Sequence, residues 1–308
     1  MLRRRPDAAR VFDDVAGTVE RLAALVRAGA APATAWDAIA DGSEDEAPLA
    51  AAVARRASAG LPLAPAFAAL PADPRGDAWR RTGALLALAA ETGAPLATAL
   101  DRAAIGLRGG ADLHRAVRAA VAGPAASARL TLLLPPGSAV LGWALGFDVP
   151  RVLLTPLGAL AVLLATVLIA AAATWSRRLV RRAAAVRWQS GLGLDLVALA
   201  LRAGLPLHGA RLAAMSAARD VGIDLREDEP VIEAAARFAE RCGVAVAPLL
   251  GAEADRVRRA VLADAGIAAT VLGVRLLVPL GVLVLPAFLL AGALPVGLAI
   301  LSSTALPI

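Results

Sequence analysis

Polar and apolar positions alternate along this chain in two regimes. Up to about residue 126, and again over 176–266, apolar residues recur at three- and four-residue spacing. β-Branched residues are few there and Gly and Pro punctuate the pattern regularly, which predicts amphipathic helices joined by short turns. Elsewhere the polar component disappears. From Leu130 to Trp175 the only ionisable residues are Asp148 and Arg151, and from Leu276 to Ile308 there are none. A helix needs about 20 apolar residues to cross about 30 Å of hydrocarbon. Three stretches qualify: Ser127–Phe147, Val152–Trp175 and Leu276–Leu301. Asp148 to Arg151 then forms a tight turn, so the first two spans make a hairpin. The expectation is an all-α integral membrane protein with three transmembrane helices and two antiparallel helical-bundle domains. Its parts are 1–126, a helical domain; 127–175, the hairpin; 176–266, a second helical domain; and 267–308, the last span.

The turns of the two polar stretches share a grammar. Gly accepts the left-handed conformation that ends a helix, and Pro one or two residues later starts the next. In the first stretch this device occurs at Gly29, at Gly60 with Pro62, and at Gly93 with Pro95. In the second it occurs at Gly204 with Pro206, and a matching glycine is Gly243. Aligning Gly204 on Gly29 and Gly243 on Gly93 leaves the second stretch 25 residues shorter, about one helix plus a turn. The pattern predicts an internal duplication whose second copy lacks the middle unit.

Charge fixes the orientation. The chain has no Lys, and its 32 basic residues are all Arg. Arg177, Arg178, Arg181, Arg182 and Arg187 follow the second span, and Arg256, Arg258, Arg259 and Arg275 precede the third. The hairpin turn carries one Arg and one Asp. An excess of arginine marks the cytoplasmic side, so both polar stretches and the N-terminus are expected inside and the C-terminus outside. Residues 1–126 hold 15 Arg against 14 acids, so the high pI does not come from a basic face there. No interleaving of basic and aromatic residues suggests nucleic-acid binding.

Reactive chemistry is sparse. His114 and His208 stand alone, and Cys242 has no paired base or second cysteine. Without Lys there is no phosphate-binding Gly-x4-Gly-Lys loop, so the chain is not expected to hydrolyse ATP. No catalytic, cofactor or metal residues are expected. The acidic runs stand out more. Glu44, Asp45 and Glu46, and Glu227, Asp228 and Glu229, each follow the first helix pair of their stretch and are candidates to meet a basic partner. Glu91, at a helix end, is a further contact candidate.

The order of these features resembles the type II secretion F-domain family, the inner-membrane platform proteins of type II secretion, type IV pili and Tad pili. Gly29, Gly60, Pro62, Leu63, Glu91, Gly93 and Leu100 lie where that family's turns and helix starts lie. The stretch from Val284 to Leu290 and the closing Leu306 to Ile308 resemble its final span. The Ala/Arg-rich, Lys-free composition is similar to the Tad branch. One departure is that Glu240 stands three residues before Gly243, whereas Glu91 stands two before Gly93. The resemblance implies a non-enzymatic adaptor in the bacterial inner membrane that couples a hexameric secretion ATPase to extraction of pilin-like subunits. The implied partners are that ATPase, pilin-like subunits, other platform subunits and membrane lipid. The alternative from another class is a membrane subunit of a small transporter or permease.

Overall fold

The computed structural model describes residues 7–144, 155–184, 191–294 and 297, and these are all-helical, with no strand among them. The hairpin turn expected at 148–151, the end of the first span and the end of the third lie outside the described residues. The helices are α1 (Ala8–Arg27), α2 (Pro32–Gly42), α3 (Ala47–Ser58), α4 (Ala64–Ala68), α5 (Pro74–Thr92), α6 (Leu96–Ala144) and α7 (Pro156–Ala184). They continue with α8 (Leu192–Arg202), α9 (Leu207–Asp220), α10 (Glu229–Cys242), α11 (Val246–Pro279) and the short α12 (Leu285–Phe288). π-Helical turns at Leu280–Val284 and Leu289–Ala293 flank α12.

The described residues within 1–115 and 187–264 form one compact unit, so the two polar stretches share a core. Two of its helices are sheathed on every side. On α5, Ala78, Trp79 and each residue from Arg81 to Ala89 are buried; on α8, each residue from Leu192 to Ala200 is buried. A helix apolar all round can be stable in water only when other helices surround it. Accordingly α5 packs against α1 on the N-terminal side and against α8 and α9 from the second stretch. Trp79 of α5 meets Trp36 of α2 at 5.7 Å between ring centroids and stacks on Phe67 of α4 at 6.4 Å.

The turns obey the punctuation. Gly29 and Gly204 have φ of 91° and 93°, and Gly93 and Gly243 have 72° and 65°, conformations an L-side chain resists. Gly60 is likewise left-handed, at 65°. Pro206 caps α9 and Pro95 immediately precedes α6; Pro62 lies two residues before α4. The helix limits follow the same alignment. α1 and α8 end two residues before Gly29 and Gly204, and α2 and α9 begin three residues after them. α5 and α10 end one residue before Gly93 and Gly243, and α6 and α11 begin three residues after them. Where the first stretch has α3 and α4, the second has only the loop 221–228.

The second unit comprises the described residues within 116–186 and 265–308. Among the described residues two helices are long and apolar enough to cross a membrane, Pro156–Val180 and Val246–Ala293, each containing an 18-residue stretch of mean hydropathy 2.4. The expected first span is helical through Ala144 as the continuation of α6, so no break falls at residue 126; likewise α11 passes residue 266 unbroken. α7 packs on the π-helical turns and α12 through a narrow seam, in which Gly158, Ala161, Ala165 and Ala172 are buried. Leu157, Leu160, Leu163, Leu164 and Val167 face outward. This division suits lipid, where small residues let helices approach and large apolar ones meet acyl chains.

A methyl group added at Gly83 would overlap the Phe67 ring in the aromatic cluster. Gly83→Ala is therefore expected to destabilise the first unit by about 1–3 kcal/mol, read as a lower unfolding midpoint in detergent. An unchanged midpoint would contradict this packing.

Candidate functional site

The feature sequence reasoning missed is a charged cluster at the centre of the first unit. Asp195 is the single acid in the apolar run of α8, and it is 1% exposed. An isolated buried carboxylate is strongly unfavourable unless paired and hydrogen-bonded. Here Arg258 of α11 donates to Oδ2 at 2.6 Å, and Arg102 of α6 donates from Nε to Oδ1 at 2.8 Å. The Arg81 guanidinium of α5 lies 3.9 Å from Oδ2. Arg102 also reaches the Gly251 carbonyl at 3.0 Å and Asp255 at 3.2 Å, both on α11, and Arg258 pairs with Asp255 as well. Four helices drawn from both polar stretches thus converge on one carboxylate.

The electrostatics follow from burial. Arg81 is wholly buried, and desolvation pulls its pKa down to about 10 against the attraction of Asp195. Burial also opposes the charge of Arg102, but Asp195 and Asp255 outweigh it and hold its pKa above the usual arginine value. Space for Arg81 comes from Gly106 of α6, where an added Cβ would come within 2.6 Å of the guanidinium.

A second pair occupies corresponding positions. Asp195 lies nine residues before Gly204 and Glu20 nine before Gly29; Arg258 lies fifteen after Gly243 and Arg108 fifteen after Gly93. Glu20 and Arg108 are paired too, at 2.8 Å, with Asp13 joining at 3.0 Å. The same acid-on-first-helix, arginine-on-last-helix contact occurs in both stretches, half-exposed in one and buried in the other.

The acidic runs divide by burial. Glu44 and Asp45 are exposed, the latter 3.2 Å from Arg75. Glu46 is buried against Arg75 at 2.8 Å, and desolvation raises its pKa although the arginine opposes this. In the second run Glu227 is exposed, Glu229 pairs with Arg211, and Asp228 is buried. Asp228 accepts hydrogen bonds from the backbone N–H groups of Gly191 and Gly193, at 3.1 and 2.7 Å, and so caps the start of α8. Burial raises the pKa of Asp228, with those N–H groups opposing. Glu91 is an exposed residue near the end of α5. Glu46 and Asp228 are thus fixed within the fold, while Glu44 and Glu227 face solvent.

His114 packs on Phe12 at 5.2 Å. Among the described residues no group of three or more His, Cys, Asp or Glu is placed to hold a metal ion.

Residues 18–142 match the family described as Type II secretion system (T2SS), protein F, so this part of the chain is similar to the type II secretion F-domain family, and the match suggests a membrane platform protein of secretion and pilus systems. The match covers α1 to α6 from residue 18 onward; α8 to α11 lie beyond it. No curated protein and no solved structure matches the chain significantly.

Asp195→Ala leaves Arg81, Arg102 and Arg258 crowded without their central anion, and is expected to cost about 3–5 kcal/mol. Glu20→Ala removes the half-exposed counterpart and should cost at most about 1 kcal/mol. Paired denaturation of the two variants checks the difference; equal losses would overturn the assignment of Asp195 as the organising charge.

Proposed function

We propose that this protein is the platform of a pilus-assembly machine of the Tad type, coupling a cytoplasmic hexameric ATPase to the extraction of pilin-like subunits from the inner membrane. The observation that carries this reading is the F-domain match over 18–142, joined to a core in which both polar stretches are locked by one buried ion cluster. A body of that kind moves as a piece. Its helices α6 and α11 continue without a break into the apolar stretches, so a displacement imposed by the ATPase passes along them. Catalysis forms no part of the role.

Three spans are proposed, with the N-terminus and the first unit cytoplasmic and the C-terminus outside, following the arginine excess beside the apolar stretches. The second stretch is proposed to be a shortened duplicate of the first. The matched helix limits, the paired left-handed glycines and the repeated acid–arginine contact support that history. For the ATPase, the solvent-facing acids Glu44 and Glu227 are the proposed docking charges, with the exposed Asp45 and Glu91 as further candidates. Pilin-like subunits and lipid meet the spans.

Crosslinking in native membranes followed by mass spectrometry tests the reading. Adducts from the first unit to a hexameric secretion ATPase are expected. Recovery with a soluble substrate-binding protein or a nucleotide-binding transporter subunit would instead favour a permease. Glu44→Arg should lower ATPase capture by about tenfold, a cost of about 1.4 kcal/mol, without moving the unfolding midpoint. Undiminished capture would remove Glu44 from the interface.

A further inference from the structure

A groove of about 500 Å3 opens between α1 and α2. Arg21, Ala24 and Ala28 form one wall, Ala38 and Gly42 the other, and Ile39 lies buried at its floor. Under the alignment of the turn glycines, α1 and α2 correspond to α8 and α9. Ala24, Ala28, Ala38 and Gly42 then correspond to Leu199, Ala203, Ala213 and Ala217. The first four are exposed. Of their counterparts, Leu199 is 2% and Ala217 1% exposed, and the other two are half-buried. The second-stretch surface is therefore covered, and α5 is a helix that packs on both α8 and α9.

The counterpart of α5 is α10, by their shared relation to Gly93 and Gly243. Leu88 of α5 is fully buried and lies two helical turns from Arg81, on the face that meets Asp195. Its counterpart on α10 is Phe238, which is 49% exposed, with Ala234 and Cys242 exposed one turn to either side. Each chain therefore contains a filled groove with its inserted helix, an open groove, and an inserting helix with its apolar ridge in solvent. The sizes match in a compensating way. The open groove has Ala24 where the filled one has Leu199, and the free ridge has Phe238 where the inserted one has Leu88. A larger knob for a larger hole preserves packed volume.

We infer that α10 of one molecule docks into the α1–α2 groove of a second copy of this chain, repeating between molecules the contact that α5 makes with α8 and α9 within each one. The two surfaces differ, so the contact is head-to-tail and builds a ring or an open row, not a two-fold dimer. It lies wholly on the first unit and does not depend on which machine the protein serves.

The test places the photoreactive residue p-benzoylphenylalanine at Phe238 in the full chain, in membranes holding two differently tagged copies. Irradiation is expected to give adducts between the two tagged copies, with the attached peptide mapping to residues 21–43. Ala28→Trp fills the groove from an exposed site, so folding is retained; it should lower the adduct yield by about tenfold, equivalent to about 1.4 kcal/mol, with an unchanged unfolding midpoint. Overturning results are no inter-copy adduct, an adduct to α10 of the other copy, an adduct to a different protein, or a yield indifferent to Ala28→Trp. The readout involves neither ATPase nor pilin, so loss of ATPase capture with these adducts intact would count against the platform role alone.

Discussion

A single buried carboxylate organises the first unit. Asp195 lies in a helix whose other residues up to Leu201 are all Leu, Val, Ala or Gly, and removing its charge from water is tolerable only because arginines reach it from α6 and α11, with a third on α5 close by. Those partners lie about 60 to 115 residues away in sequence. Guanidinium groups suit the task, since each presents several donors in a fixed plane and can serve two acceptors at once, as Arg102 does for Asp195 and Asp255. To the steric fit of nonpolar packing between α8 and α5 the charge adds a directional constraint. A charge with few acceptable partners fixes the depth and azimuth of α8.

The cluster also explains why two stretches of similar grammar end in different environments. Acid and arginine pair in both, but the second pair is buried, with Arg81 of α5 beside it, and the first is half-exposed. The residues follow the environments. Leu196 and Leu199 of α8 are buried, whereas the matching positions of α1 are the exposed Arg21 and Ala24. The acidic loops diverge in the same sense: Glu46 holds Arg75, while Asp228 spends its oxygens on the first N–H groups of α8, a helix whose start has no cap of its own.

In the apolar unit the division of labour is steric. α7 presents a seam of Gly and Ala to the last helix and large aliphatic residues elsewhere. The last helix widens into π-helical turns after Pro279 and again just after Pro286, where the ring removes a donor and the ladder must adjust. The hydrogen-bond ladder of the last helix is thus interrupted twice, whereas the helices of the first unit are held by a buried ion cluster.

The sequence by itself determined the helical class, the two regimes of polarity and the positions of the turns. Each of these is local: helical periodicity needs only neighbouring residues, a left-handed turn needs only its glycine, and a lipid-facing helix needs only a run without charge. Gly29, Gly93, Gly204 and Gly243 were legible for that reason. The cluster was not. Its one local signal was Asp195 alone in an apolar run, and nothing near it in sequence names Arg102 or Arg258 as its partners. Nor could the acidic runs be sorted by reading, because Glu46 and Glu44 have the same chemistry and differ only in which side of a helix pair they meet. The tertiary structure decided that the two polar stretches share one core and which charges face inward. It did so because desolvation depends on what packs around a group, and only the folded chain brings that together.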